Sequence, residues 1–230
     1  MKKSFIWFDL GYTLVYQQRE AVYQQFLLEQ GIDLPLEEIE RAYHLTDKLF
    51  MRQYPGALGK EMTTFYAWYT GVLNYTLGLH FNLHDQVNRL AELQNCTKQR
   101  WLPYSFTPEV LKWLKQNAIG VGLISNWDHS ARALLDELEL LDYFDHIMIS
   151  SEVGVEKPDK EIFEQALHAA RVTPEESLYI GDNYYDDVIG SSRVGMEALL
   201  INRFGQLGIE EIRHGHTIKS IQELPEIIQR

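Results

Sequence analysis

The stretch from Phe5 to Leu14 constrains the fold more than any other part of the chain. Its first four residues are large and apolar, and they run directly into Asp9, after which come Gly11 and Thr13. A continuous apolar run of this length is typical of a strand buried on both faces, as in a parallel sheet. Ligands bind at the carboxyl ends of such strands, so Asp9 is predicted either to face a binding crevice or to cap a following helix.

After this strand the sequence predicts two kinds of structure. Helical patterns cover residues 19–30, 36–53, 59–79 and 83–95, and no strand is predicted between them. Farther along, strands are predicted at 119–124, 147–150, 177–180 and 198–202, alternating with helices at 107–117, 130–139, 158–171, 186–194 and 221–228. This alternation indicates an α/β fold with a doubly wound, Rossmann-like parallel sheet. We therefore predict an α/β core of residues 1–15 and 97–230, with an inserted all-helical domain of residues 16–96.

Charge and composition exclude several classes of partner. The formal net charge of −12 argues against nucleic acid or an anionic membrane, both of which need a basic face. The single cysteine, Cys96, cannot form an internal disulfide, and no stretch has the length of a membrane span or the pattern of a signal peptide. We predict a soluble cytoplasmic protein, as a monomer or a homodimer. A phosphorylated substrate would need local positive charge in so acidic a chain.

Polar residues follow two of the later predicted elements. Ser125 and Asn126 end the predicted strand 119–124, where a hydroxyl and an amide suit a phosphate oxygen or cap a turn. Lys157 directly precedes a helix predicted to begin with Pro158. It is either a solvated surface lysine or the partner of an anion.

An acidic stretch gives the strongest local signal. The predicted strand 177–180 runs into Gly181 and Asp182, and Asp186 and Asp187 follow within five residues. Carboxylates so close together repel one another unless a cation or a helix N-terminus relieves them. A few hard oxygen ligands suit Mg²⁺. Helix capping is an alternative for Asp186 or Asp187 but does not explain Asp182.

These four stretches lie after different strands of one parallel sheet and so fall on one edge of it. Together they resemble the haloacid dehalogenase-like hydrolase superfamily, most of whose members are Mg²⁺-dependent phosphatases. The resemblance covers nearly the whole chain, and the helical insertion matches the family's class I cap. It implies a nucleophile at Asp9 with catalytic partners Ser125 and Lys157, phosphate binding by Leu10, Gly11, Thr13, Ser125, Asn126 and Lys157, and a Mg²⁺ site at Asp9, Gly11, Asp182 and Asp187.

The sequence departs from the family pattern at Gly11, where the second aspartate of the first motif normally acts as general acid and base. Glycine keeps a backbone carbonyl for the metal, but losing an acid–base group typically costs about 10²–10⁴-fold in rate. Tyr12 or His44 is a candidate replacement. His44, Lys48 and Arg52 share one helical face, which either meets a second anionic group of the substrate or is solvated.

The resemblance predicts Mg²⁺-dependent hydrolysis of a small phosphorylated metabolite through an aspartyl-phosphate on Asp9. One alternative is a protein that binds phosphate or a partner without turnover. Another is a 2-haloacid dehalogenase, which needs no metal and leaves the acidic stretch unexplained. A third is a phosphonatase, which needs a lysine from the cap, for which Lys48 and Lys60 are candidates.

Overall fold

The computed structural model describes residues 3–58, 62–97 and 101–229. Contacts between residues divide the chain into an α/β unit of Met1–Tyr16, Leu102–Gly205 and Ile212–Arg230, and a helical unit of Gln17–Trp101 and Gln206–Glu211. The strands are β1 Phe5–Phe8, β2 Val15–Gln17, β3 Trp101–Pro103, β4 Gly120–Ser125, β5 His146–Ile149, β6 Ser177–Gly181, β7 Glu197–Ile201 and β8 Thr217–Ile218. The helices are α1 Arg19–Glu29, α2 Leu36–Gln53, α3 Met62–Thr76, α4 Leu83–Thr97, α5 Thr107–Gln116, α6 Ala131–Glu137, α7 Ser150–Val153, α8 Lys160–Ala170, α9 Ile189–Ser192 and α10 Leu224–Gln229.

Six parallel strands form the sheet of the α/β unit. Their spatial order is β5-β4-β1-β6-β7-β8, with β1 hydrogen-bonded to β4 on one side and to β6 on the other. Numbered in chain order within this sheet, the order is 3-2-1-4-5-6, which is that of a doubly wound Rossmann-like fold. The predicted α/β class and parallel sheet are confirmed.

The central strand β1 is buried because both its faces and both its edges are covered. Phe5 is 6% exposed, and the next three residues are fully buried. The neighbouring strand β4 makes room for two of these rings by carrying glycine: a Cβ on Gly120 would lie 2.2 Å from the ring of Phe5, and one on Gly122 would lie 2.2 Å from the ring of Trp7. The apolar run of β1 is therefore explained by close packing in the middle of the sheet.

Three short strands were not predicted from the sequence. The strand β8 adds a sixth member to the sheet with only two residues. The strands β2 and β3 have three residues each and form a separate two-stranded sheet, and β2 overlaps the first residues of the predicted all-helical domain, 16–96. Strands of two or three residues are too short to show an alternating pattern, so the prediction of five strands was incomplete.

The helical unit has its own apolar core, to which α1, α2, α3 and α4 all contribute. Its buried members are Val22, Tyr23, Phe26, Leu27, Ile39, Ala42, Tyr43, Phe50, Tyr69, Leu73, Leu90 and Leu93. The predicted start of the third helix at Gly59, and the candidate Lys60, lie outside the described residues. In the parts of the chain that are described, no helix is long and apolar enough to cross a membrane.

The segment Gln206–Glu211 belongs to the helical unit, although the sequence placed it in the α/β core. It packs on α2, where His44 Nε2 lies 2.9 Å from the Leu207 carbonyl oxygen and Arg52 Nη1 lies 3.0 Å from Glu211 Oε1. Contacts between residues so far apart in the chain leave no local pattern, which is why the sequence did not reveal them.

The face of α2 that carries His44, Lys48 and Arg52 is largely buried. His44 is 9% exposed and Lys48 is 6% exposed. The interpretation of this face as solvated is therefore wrong for both residues, while Arg52 keeps about a third of its side chain exposed in its ion pair.

Candidate active site

The carboxyl edge of the sheet gathers residues predicted to carry the chemistry. Asp9 directly follows β1, Ser125 is the last residue of β4, and Asp182 directly follows β6. The order of the strands reverses between β1 and β6, which is the point where open α/β sheets bind ligands. The site therefore lies where the topology of the sheet opens a crevice.

Asp9 has two side-chain donors on one carboxylate oxygen. Ser125 Oγ donates to Asp9 Oδ1 over 3.0 Å, and Lys157 Nζ donates to the same atom over 2.7 Å. Burial raises the pKa of the Asp9 carboxyl above its usual value, although the charge of Lys157 acts in the opposite direction. The next element is strand β2, so the alternative that Asp9 caps a following helix is wrong.

Lys157 supplies the positive charge of the site, and its side chain is 3% exposed. Its ammonium donates to Asp9 Oδ1 and Asp187 Oδ1, each over 2.7 Å, and to Tyr179 Oη over 2.9 Å. Burial opposes the charged form, yet the carboxylates of Asp187 and Asp9 hold the pKa of Lys157 well above its usual value. The alternative of a solvated surface lysine is therefore wrong.

Asn126 fixes the loop that carries Lys157. Its Nδ2 donates to the Lys157 carbonyl over 2.9 Å, and the Lys157 N–H donates to Asn126 Oδ1 over 2.8 Å. The side chain of Asn126 thus joins the end of β4 to the lysine loop, which leaves its backbone amide as the group for the predicted phosphate contact. Helix α8 begins at Lys160 with Asp159 as N-cap, so the predicted start at Pro158 is wrong.

Three carboxylates converge beside this lysine. Asp9, Asp182 and Asp187 each offer an oxygen, and these oxygens lie within 4.8 Å of one another. Asp186 is not in this group, and its Oδ2 accepts a 2.7 Å hydrogen bond from Asn183 Nδ2. Burial and the charge of Asp187 raise the pKa of Asp186 to about 7. Of the two candidate aspartates, the structure brings Asp187 to the other acids.

Gly181 makes the position of Asp187 possible. A Cβ at this glycine would lie 2.1 Å from Asp187 Oδ2, so any other residue would displace the carboxylate. The chain then makes a π-helical turn over Tyr184–Val188, with Asn183 as its N-cap, before α9 begins. Such turns are frequent at functional sites. The helix predicted at 186–194 is therefore shorter and less regular than expected.

The donor set fits a divalent cation. Two carboxylates pair with one ammonium and a third lies within 4.8 Å of both, and the excess of negative charge favours binding of a positive ion. A small set of carboxylate oxygens is the kind of ligand that Mg²⁺ prefers in proteins. The site can therefore hold an anion through its lysine and serine while a metal offsets the acids.

The loop that follows β1 has a defined backbone. Gly11 forms a parallel bridge with Val15, and Tyr12 adopts a left-handed conformation with φ of 52°. The side chains of Leu10 and Thr13 are buried, and Thr13 Oγ1 has no hydrogen-bond partner within the described part of the chain. Phosphate contacts from Leu10, Gly11 and Thr13, and metal binding by the Gly11 carbonyl, stay predictions.

Tyr179 is a member of the site that the sequence did not reveal. It lies in β6, its side chain is fully buried, and its Oη contacts Lys157 Nζ at 2.9 Å, the Ile124 carbonyl oxygen at 2.9 Å and Asp187 Oδ1 at 3.2 Å. A tyrosine within a buried strand has the pattern of core packing. The one available signal was its hydroxyl, which needs a partner when it is buried.

Comparisons with known proteins agree with this geometry. The model of the haloacid dehalogenase-like hydrolases matches residues 6–195, which include every site residue described above. Haloacid dehalogenase-like hydrolase domain-containing protein 3 of Danio rerio is 28% identical over 235 residues, covering 98% of this chain and 96% of that protein. Pyrimidine 5'-nucleotidase YjjG of Escherichia coli is 28% identical over 235 residues, covering 99% of each. The crystal structure of a HAD phosphatase from Thermococcus onnurineus has a TM-score of 0.61 at 24% identity, covering 99% of this chain and 98% of that one.

Proposed function

Because the chain belongs to the haloacid dehalogenase-like hydrolase family, we propose that it is a Mg²⁺-dependent phosphatase that hydrolyses a small phosphomonoester through an aspartyl-phosphate on Asp9. The observation that carries this proposal is the buried Asp9 carboxylate, which has Ser125 and Lys157 as donors and two further carboxylates at the same edge of the sheet. The nucleotidase relative, similar over its full length, supports a phosphorylated substrate.

The first step is attack by Asp9. A carboxylate oxygen forms a bond to phosphorus while the bond from phosphorus to the leaving oxygen breaks, which gives the aspartyl-phosphate and an alkoxide. Ser125 and Lys157 both donate to Asp9 Oδ1, which supports their proposed role as donors to the oxygens of the transferring group. Fixed donors of this kind stabilise the charge that develops in the transition state.

The second step regenerates the enzyme. A water oxygen bonds to phosphorus, the bond between phosphorus and Asp9 breaks, and inorganic phosphate leaves while the proton of the water passes to solvent. The aspartate that normally moves protons in both steps is replaced by Gly11, so the proton for the leaving oxygen must come from solvent or from one of the candidate side chains, Tyr12 or His44. We therefore expect fast turnover only for esters with a good leaving group, and a deficit of about 10²–10⁴-fold for others.

Asp9, Asp182 and Asp187 are the side chains proposed to hold Mg²⁺, together with the Gly11 carbonyl. When bound there, Mg²⁺ supplies positive charge that offsets the phosphate and the acids. Asp187 accepts a hydrogen bond from the Lys157 ammonium through its Oδ1 and one from the Asn183 N–H through its Oδ2. Its proposed role is therefore to orient the metal, directly or through a bound water, while it holds Lys157.

The second candidate function is binding without turnover, and the observation that favours it is the glycine at position 11. A protein that lost its general acid could retain Mg²⁺ and phosphate binding without turnover, as a sensor of phosphate or of a partner. The acidic group counts against the metal-free haloacid dehalogenase in either case, because that reaction uses Asp9 as nucleophile and leaves the converging carboxylates of Asp182 and Asp187 unexplained.

The test is release of p-nitrophenol from p-nitrophenyl phosphate, with Mg²⁺ and with EDTA. Wild type is expected to turn over only with Mg²⁺, and Asp9→Asn is expected to reduce turnover to background. Gly11→Asp should raise the rate on an ester with a poor leaving group by about 10²-fold or more. Asp142→Asn, at an exposed position, is the matched control and should behave as wild type. Full activity in Asp9→Asn would exclude the proposed nucleophile, and phosphate binding by an inactive wild type would favour the binding protein.

A further inference from the structure

The hydroxyl of Tyr179 lies between the groups assigned to phosphate and the groups assigned to metal. Its Oη is 2.9 Å from Lys157 Nζ, 2.9 Å from the carbonyl oxygen of Ile124 and 3.2 Å from Asp187 Oδ1. Ile124 directly precedes Ser125 in the chain. One buried phenol therefore links the lysine to the backbone that carries the serine.

Counting protons fixes the direction of these bonds. The ammonium of Lys157 has three protons and no lone pair, and it has three acceptors: Asp9, Asp187 and Tyr179. The phenol has a single proton, and the Ile124 carbonyl, which has none, lies closer to it than Asp187 does. Lys157 thus donates to Tyr179, and Tyr179 donates to Ile124.

Tyr179 differs from the other two acceptors of Lys157 in its charge. A phenol, unlike a carboxylate, is neutral in ordinary buffers. A neutral acceptor orients an ammonium without adding a third carboxylate to compete with phosphate for its charge. Without the hydroxyl, Lys157 would have only the two carboxylates, and the Ile124 carbonyl would lose this donor.

We propose that Tyr179 is a positioning residue for phosphate recognition, because its hydroxyl holds the Lys157 ammonium next to the strand end that carries Ser125. This inference rests on the part of the proposed function that assigns Lys157 and Ser125 to the phosphoryl group. It adds a residue that does not touch the substrate and acts through the lysine. Its loss weakens binding of the substrate and of the transition state together, because both use the same donor.

The decisive variant is Tyr179→Phe, and Tyr23→Phe is its matched control. Tyr23 is an equally buried tyrosine of the helical unit, and its hydroxyl donates to Asn74 Oδ1 over 2.6 Å. Both changes remove one buried hydroxyl that has a hydrogen bond, so both are expected to lower the melting temperature. Only the change at Tyr179 is expected to alter the recognition of phosphate.

The measurements are the dissociation constant of inorganic phosphate at saturating Mg²⁺ and the kinetics on p-nitrophenyl phosphate. A hydrogen bond to a charged group corresponds to about a 10- to 100-fold effect on binding. Tyr179→Phe should therefore raise Kd for phosphate and KM for the ester by about this factor, with the larger share of the loss in KM rather than kcat. Tyr23→Phe should leave both constants at the values of wild type.

A folded Tyr179→Phe variant whose Kd for phosphate stays within about twofold of wild type would overturn the inference, since the expected effect is about 10-fold or more. If that variant does not fold, 3-fluorotyrosine at position 179 tests the same point, because it keeps the shape and weakens the acceptor. It should raise Kd for phosphate severalfold, and an unchanged Kd would likewise overturn the inference.

The outcomes separate this inference from the proposed function. A wild type that hydrolyses the ester, with no change of phosphate binding in Tyr179→Phe, leaves the phosphatase and removes the role of Tyr179. A wild type that binds phosphate without turnover, and binds it more weakly after Tyr179→Phe, supports the inference and excludes the phosphatase. A wild type that neither hydrolyses the ester nor binds phosphate excludes both.

Discussion

Each unit of the molecule buries a polar cluster, and the two clusters are built on opposite principles. The charged cluster of the α/β unit consists of Asp9, Lys157, Tyr179, Asp182 and Asp187. The amide cluster of the helical unit consists of Tyr23, Asn74 and Gln86, which contain no ionic group. Both are held by short hydrogen bonds, but only one of them carries net charge.

The three side chains of the amide cluster hydrogen-bond to one another. Asn74 Nδ2 donates to Gln86 Oε1 over 2.7 Å, Gln86 Nε2 donates back to Asn74 Oδ1 over 3.0 Å, and the Tyr23 hydroxyl donates to the same oxygen over 2.6 Å. These three residues join α1, α3 and α4, so the cluster specifies how the helices pack. A buried polar network whose members satisfy one another stabilises one arrangement of the core.

The charged cluster, by contrast, has more negative than positive groups. Its single ammonium pairs with two carboxylates, and a third carboxylate lies within 4.8 Å of both, so burial costs free energy that the ion pairs only partly offset. Residues that break a rule of stability in this way are expected at functional sites. We infer that the helical unit uses polar burial for structure and the α/β unit uses it to receive a metal and a phosphate.

Removing the central charge should give the largest effect. Lys157→Met leaves the carboxylates of Asp9 and Asp187 buried without a compensating positive charge, which should lower the free energy of unfolding by about 3–5 kcal/mol in EDTA. Part of this loss should return with Mg²⁺, and turnover should fall to background. Urea unfolding with and without Mg²⁺ measures it.

Lys160→Met is the control for that variant. Lys160 pairs with Glu164 over 2.9 Å, but their side chains are 61% and 50% exposed, and such a pair contributes less than about 1 kcal/mol. If Lys157→Met were as stable as Lys160→Met in EDTA, the description of a buried, charge-dependent cluster would be wrong.

The next effect should come from opening the amide cluster. Asn74→Ala leaves Tyr23 and Gln86 without their partner and should lower the free energy of unfolding by about 2–3 kcal/mol. Affinity for Mg²⁺ and phosphate should not change. Asn88→Ala, on the exposed side of α4, is the control and should be nearly neutral. A change in Mg²⁺ affinity in Asn74→Ala would break the division of roles between the clusters.

A smaller change in stability should accompany a specific loss of metal binding in Gly181→Ala. The added Cβ would lie 2.1 Å from Asp187 Oδ2, so the carboxylate must move, at a cost of about 1–3 kcal/mol. We expect Mg²⁺ to bind at least about 10-fold more weakly. Gly215→Ala serves as control, because no atom lies within 4 Å of its added Cβ. Equal Mg²⁺ affinity in both variants would contradict the role of Gly181.

The smallest effect should be the pH dependence of the amide cluster. Burial raises the pKa of Tyr23 to about 12 from a usual value of 10.0. The folded state therefore holds this proton more tightly than the unfolded state, so the stabilisation is complete below pH 10 and is lost as pH rises from 10 to 12. Alkaline unfolding followed by circular dichroism should show a weaker pH dependence in Tyr23→Phe. An identical pH dependence in both proteins would refute this assignment.

The sequence predicted the positions of the charged cluster better than its connections. An apolar run ending in Asp9 and a strand ending in Gly181-Asp182 are local patterns, and the parallel topology then brings them to one edge. Tyr179 was missed because a ring inside a buried strand looks like core, and its partners lie 22 and 55 residues away in the chain. The hydrogen bonds of Asn126 to the lysine loop were missed for the same reason.

The helical unit shows the same limit. Its four helices follow from periodicity, but Asn74 and Gln86 are ordinary polar residues of amphipathic helices in the sequence. Their pairing depends on how α3 and α4 cross. The attachment of Gln206–Glu211 to α2 likewise depends on contacts between distant segments of the chain.

The claim that the charged cluster binds Mg²⁺ is tested most directly by calorimetric titration of metal-free protein with Mg²⁺. The proteins compared are wild type, Asp182→Asn and the exposed control Asp142→Asn. We predict that wild type and Asp142→Asn bind one ion per chain, and that Asp182→Asn binds it at least about 10-fold more weakly because one carboxylate is lost. A wild type that binds no Mg²⁺, or equal binding in all three proteins, would contradict the claim that Asp9, Asp182 and Asp187 form a Mg²⁺ site.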